Sequence, residues 1–234
     1  MFAFAATAMD APAASATVSP PSDADLANTP CAIGEERFLP ADYYYCLGTQ
    51  TYGEQRYGYA KKFFDTAAGW GSKPAQYVLG IMALDGDHQP VNRPLALAWM
   101  ALASERPNSS FKGAYDAAFA GASAAERKTA ERLLATMRPV YADATAAVRA
   151  EKRYAQGMAA LSHMDAGESN HCIEGMASLD QPGVSDPSTC PPIHAVVKHI
   201  DHVAESVFDG WSGHVNVGPL QQVDSPVQAK KGGG

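Results

Sequence analysis

The run Ala75-Gln76-Tyr77-Val78-Leu79-Gly80-Ile81-Met82-Ala83-Leu84, followed after a break by Arg93-Pro94-Leu95-Ala96-Leu97-Ala98-Trp99-Met100-Ala101-Leu102-Ala103, decides how this chain folds. In both runs apolar and alanine positions recur three and four residues apart, the spacing of one helix face. Between them Asp85-Gly86-Asp87-His88-Gln89-Pro90 is turn material. Asn92 stands where it can cap the second run, and Pro94 falls in the first turn, where a missing N–H does no harm. Pro107 follows the end, so a helix over 93–104 is expected. Two helices joined by a tight connection make a hairpin.

The hairpin recurs along the chain. Leu79-Gly80 repeats Leu47-Gly48, thirty-two residues upstream. Ala96-x-x-Trp99-x-x-x-Ala103 repeats Ala60-x-x-Phe63-x-x-x-Ala67, thirty-six residues upstream, the difference being the longer loop around Asp85–His88. A period of this size with small residues at fixed places means stacked helical hairpins. Glycine and alanine let neighbouring helices approach, while Trp and Phe fill the space between one hairpin and the next.

Helical signs extend over 41–164. Ser123 and Glu126 form a capping box for a helix that should run to Arg138, before Pro139. A further alanine-rich helix is expected from Tyr141 to Met164, stopping at Asp165-Ala166-Gly167. Beyond it, Ile193 to Phe208 reads as an amphipathic helix with Ile193, Val196, Val197, Ile200, Val203, Ala204 and Val207 on one face. Asp209-Gly210-Trp211-Ser212-Gly213 is a turn, and His214-Val215-Asn216-Val217 alternates like a short strand. The expected fold is all-α: an α-solenoid of two to three helical hairpins, closed by a small disulfide-pinned C-terminal segment over 165–224.

Ala75-Gln76-Tyr77-x-Leu79-Gly80, with Gly86, Asn92, Ala96, Trp99 and Ala103, resembles one full unit of the Sel-one-like repeat family, a relative of the tetratricopeptide repeats. Tyr45-Cys46-Leu47-Gly48 through Ala67-Ala68 resembles a preceding unit with a shortened loop, and Phe111 to Met137 a degenerate third without its Leu-Gly. The resemblance spans 41–138. It implies a right-handed α-solenoid with a concave surface for protein partners and no catalytic residues. Family members serve as secreted or periplasmic adaptors, and some as immunity proteins against secreted toxins.

Four cysteines fall in two sequence-local pairs, Cys31 with Cys46 and Cys172 with Cys190, as two structural disulfides would. Zinc is the rival reading, but there is no CxxC turn to supply two ligands together. Residues 1–16 read as a partial signal peptide: Phe2-Ala3-Phe4-Ala5-Ala6 is apolar and Ala14-Ser15-Ala16 fits a cleavage site, although no basic residue precedes them. Residues 17–29 are a linker by composition, and 225–234 a disordered tail. Export to the periplasm or outside the cell is the expectation. The net charge of −7 leaves no basic face for DNA or RNA, and no apolar run is long enough to span a bilayer.

The partner-binding candidates are Tyr44, Tyr52, Arg56 and Tyr77, because the first helix of each hairpin lines the concave side of such a fold and aromatic and arginine side chains make strong anchors. Tyr43, Tyr44 and Tyr45 point in different directions on a helix, so they form no single stripe. A second reading takes the protein as a metal binder or metalloenzyme centred on His199 and His202, three apart on one helix, with Asp201, Glu205, His171 or His214 as third ligand. The H-E-x-x-H pattern is missing, so exposed histidines are preferred. Gly210-Trp211-Ser212-Gly213 is not a nucleophile elbow, its second glycine following the serine directly. Asp85-Gly86-Asp87 lacks the later oxygen ligands of a calcium loop. No cofactor or catalytic residue is assigned. The sequence points to a protein that binds another protein, with an envelope protein that has no tight partner as a third reading.

Overall fold

The computed structural model describes residues 20–165 and 193–213. Among these residues every regular element is helical: α1 (Asp23–Ala27), a 3-10 turn (Glu35–Arg37), α2 (Pro40–Gly53), α3 (Tyr57–Gly69), α4 (Lys73–Asp85), α5 (Arg93–Ala103), α6 (Lys112–Ala120), α7 (Ala124–Tyr141), α8 (Ala146–Asp165) and α9 (Ile193–Val207). None is long and apolar enough to cross a membrane. The expected caps are present. Asn92 accepts from the Leu95 N–H at 3.1 Å, and Ser123 and Glu126 form a reciprocal capping box.

The α2–α3 and α4–α5 hairpins are built alike, and α3 packs on α4 to join them. Each closes on a glycine. A Cβ on Gly48 would stand 2.6 Å from the Phe64 ring, and one on Gly80 would stand 2.8 Å from Met100 Cγ. The glycines are thirty-two residues apart and their contacts thirty-six, the two offsets of the sequence repeat. Ala60, Ala67, Ala68, Ala75 and Phe64 meet Leu79, Met82, Trp99 and Leu102 in one core. Alanine keeps these helices close, and Trp99 fills the gap toward α7, edge-on to Tyr141 at 4.7 Å.

The third unit departs from this plan. No residue of α6 is buried, and α7 lies along α5 itself. The missing Leu-Gly step explains it, since the glycine α6 does carry, Gly113, faces nothing within 4 Å. Phe119 and Ala118 reach only a small cluster with Leu97, Ala122 and Ala130.

Three sequence boundaries are corrected. The α7 helix continues through Pro139 to Tyr141, because a proline in the last turn removes one bond and Ala142 N–H still donates to Arg138 O at 3.1 Å. Tyr141 therefore ends α7, and a turn over 142–145 separates it from α8, held there by the contacts of Asp143 described below. Within the expected linker, Ser22 and Asp25 form a capping box that starts α1.

The segment ahead of α2 meets α8 and α9 in a second core. Phe38 and Leu39, ahead of α2, pack with Ala150 and Leu161 of α8, with Ile193, Val196, Ile200 and Ala204 of α9, and with Phe208. The Cys31–Cys46 disulfide, with Cα atoms 5.7 Å apart, ties this N-terminal segment to α2. The turn at 209–213 follows α9 as expected. The Cys172–Cys190 pair, the strand at His214–Val217, residues 1–16 and the tail lie outside the described residues.

Candidate functional site

A cleft of about 300 Å³, lined by both polar and apolar side chains, opens where the N-terminal ends of α2 and α4 and the loop before α6 face the C-terminal end of α9. Its floor is an ion network. Ser72 caps α4 by accepting from Ala75 N–H, which sets Lys73 in the first turn pointing inward. The Lys73 ammonium donates to Leu102 O at 3.0 Å and Gln76 Oε1 at 3.2 Å, and pairs with Glu105 and with Asp143 Oδ1 at 3.0 Å. Arg106 grips the same Asp143 with two nitrogens, at 2.8 and 3.3 Å, and donates from Nη1 to Val207 O and Asp209 O. Asp143 N–H donates to Glu105 Oε1 at 2.8 Å.

Two cations and two carboxylates balance. The Lys73 and Arg106 side chains are only 6% and 8% exposed, so each charge depends on its partners. The network draws the start of α4, the loop after α5, the α7–α8 turn and the end of α9 to one point. It fastens the two cores together. Both cations are engaged. Of the other polar side chains lining the cleft, Ser109 donates to Ala103 O at 3.1 Å and Ser206 to Val203 O at 2.9 Å, while Ser110 is exposed and Asp42 half-buried.

Asp42, in the first turn of α2, accepts a hydrogen bond from the carboxyl of Glu35. Burial, then the Asp42 charge, pushes the Glu35 carboxyl up to about 8. Burial also raises Asp42, against the opposing hydrogen bond from Glu35 and the charge of His199. Glu35 is 4% exposed, and its Oε1 has no hydrogen-bond partner.

Phe111 forms an apolar wall of the cleft, and its ring stacks on Tyr77 at 4.8 Å. Of the four residues expected to bind a partner, Tyr77 therefore adjoins the cleft. Tyr44 stacks on Phe63 at 6.3 Å. Tyr52 donates to Asp87 Oδ2 at 2.8 Å, and burial together with that bond pushes its hydroxyl up to about 12. Arg56 is exposed at the start of α3, lying over Tyr59 at 4.9 Å and paired with Glu54. No ring contact or hydrogen bond joins these four side chains to one another among the described residues.

Sequence reasoning did not single out Lys73, Glu105, Arg106, Asp143, Glu35 or Asp42. A lysine after a cap serine and a Glu-Arg pair before a proline read locally as solvated ends. One signal was available: Asp143 stands just after the apolar end of α7, where only a buried partner would keep a carboxylate.

The C-terminal histidines divide. His194 and His202 are exposed, with His202 3.6 Å from Glu205, whereas His199 is half-buried and its pKa is lowered, chiefly by burial and then by His202. Among the described residues no group of three or more His, Cys, Asp or Glu side chains is arranged to hold a metal ion. His171 and His214 lie outside them. Ser212 is exposed in the turn after α9, and His88 stacks on Tyr57. Comparison of the chain with protein-family models, with curated proteins and with solved structures finds no match.

Proposed function

We propose that this protein is an exported protein-binding module, an adaptor or inhibitor in the bacterial envelope, whose paired hairpins form a short α-solenoid. The observation that carries the reading is the cleft wall. Tyr77 and Phe111 stack with both rings half-buried, beside the exposed Ser110, Tyr77 lying in the first half of α4 and Phe111 just ahead of α6. A rigid aromatic pair beside polar groups is the kind of anchor on which protein interfaces concentrate their affinity. The Cys31–Cys46 disulfide supports an oxidising compartment, and the Sel-one-like resemblance adds the adaptor and immunity roles.

Affinity capture with the oxidised full-length chain, read by mass spectrometry, tests this. One partner at reproducible stoichiometry should be retained by the wild type and lost on Tyr77→Ala. Circular dichroism should show that variant folded. Lys128→Ala, at an exposed position of α7 outside the cleft lining, should keep the partner. A wild type that retains no stoichiometric protein ends the adaptor reading and leaves a structural envelope role.

A further inference from the structure

The Glu35–Asp42 pair takes no part in the proposed binding anchor, yet it sets a buried acid against a second carboxyl. Glu35 precedes α2 on the segment that the Cys31–Cys46 disulfide ties down, and Phe38 and Leu39 from that segment form part of the core beneath α9. A carboxyl that is 4% exposed, with one oxygen lacking any donor, is stable there only as a neutral acid. Its proton is the one donated to Asp42, so two carboxyls share one negative charge. Asp42 lines the cleft, which gives the proton a route to water.

We propose that the Glu35–Asp42 pair is a proton-operated latch, holding the disulfide-tied N-terminal segment beneath α9 while the proton is present and loosening it once the proton leaves to solvent. With both carboxylates charged, repulsion acts at the edge of the core that Phe38 and Leu39 share with Ile200 and Ala204. Arg37, the cation on the same turn, is exposed to solvent rather than buried with the pair. Glu36 on the same turn adds negative charge, and the Tyr43 hydroxyl on α2 is held neutral, its pKa raised by burial and by Glu36. From α9, His199 faces Asp42, but burial and the neighbouring His202 lower its pKa and disfavour its charged form. From α8 the segment meets Gly157, against the Phe38 ring. Across the cleft, Lys73 and Arg106 are engaged by Glu105 and Asp143.

An acid that titrates near 4.5 in the unfolded chain and near 8 in the folded one binds its proton only in the folded state between those values. Its stabilisation is complete below the lower value and is lost as pH rises through the upper one. Circular-dichroism melts of the oxidised full-length protein at pH 5.5 and 8.5 should show Tm falling by about 5 °C or more with rising pH. Glu35→Gln, which keeps a neutral donor toward Asp42, should remove most of that fall. Hydrogen exchange, corrected for the intrinsic rate at each pH, should show α9 amides losing protection at pH 8.5 before those of α4 and α5 in the wild type only. Asp42→Asn leaves Glu35 beside a neutral partner and should move the midpoint of the fall to lower pH, which keeps the proposal testable if Glu35→Gln does not fold. Parallel Tm profiles for wild type and Glu35→Gln, an unchanged midpoint in Asp42→Asn, or loss of protection uniform across the helices would each overturn it. None of these readouts needs a binding partner, so the latch and the adaptor reading stand or fall separately.

Discussion

In the hairpin half, α2 to α5 meet through alanines and two glycines, and the helices stand close because little lies between them. In the closing half, large side chains do the packing: Phe38, Leu39, Leu161, Ile193 and Ile200 gather from three separate stretches of sequence. The first half is mostly local, its helices meeting within a hairpin or with the next one, with the end of α7 packed against them through Tyr141 and Ala142. The second depends on loop closure across most of the chain, and a disulfide and an ion network accompany it. Short-range order needs only the right small residues, whereas long-range order needs fasteners as well.

The largest expected effect comes from the residue that joins the halves. Asp143→Ala leaves Lys73 and Arg106 short of a carboxylate in a nearly buried site, and urea denaturation should show a loss of about 3–5 kcal/mol. Ile200→Ala empties a fully buried position in the closing core, and the same measurement should show a loss of about 3 kcal/mol, with α9 exchanging before α4 and α5. Both halves melting as one unit in that variant would break the comparison. Replacing Cys31 and Cys46 together by alanine frees a loop with a sequence separation of 15, and should cost about 2–3 kcal/mol, again felt first in the closing half.

The smallest effects sharpen the hairpin side. Gly48→Ala drives a methyl toward the rigid Phe64 ring and should destabilise by about 1–2 kcal/mol. Gly80→Ala meets instead the flexible Met100 side chain, and the gain in helix propensity offsets much of the clash, so a change within about 0.5 kcal/mol is expected. Equal losses at the two sites would show that the Met100 contact is as unyielding as the Phe64 one and that the two hairpins close alike.

Legibility in the sequence follows this division. Caps, helix faces and the thirty-two and thirty-six residue offsets are local patterns, so α5, the start of α7 and the apolar face of α9 were readable from Asn92, Ser123 and the Ile193–Val207 spacing. The turn between α7 and α8 was not, because Asp143 is held by Glu105 and Arg106, some thirty-seven residues away. The four expected binding residues were chosen from a register position that places them on first helices. Tyr44 meets Phe63 within its own hairpin, whereas the partners of Tyr52 at Asp87 and of Tyr77 at Phe111 come from the next unit, and only Tyr77 lies beside the cleft.

By itself, then, the sequence determined the helical character of the described residues, their repeated Gly-closed hairpins and the Cys31–Cys46 bond, since each depends on residues near one another along the chain. The tertiary structure alone decided that Lys73, Glu105, Arg106 and Asp143 form one balanced network, that Glu35 is buried against Asp42, and that the segment before α2 shares a core with α8 and α9. Burial of a charge is a property of what surrounds it, and here the surroundings arrive from segments too far apart in sequence for any local pattern to record.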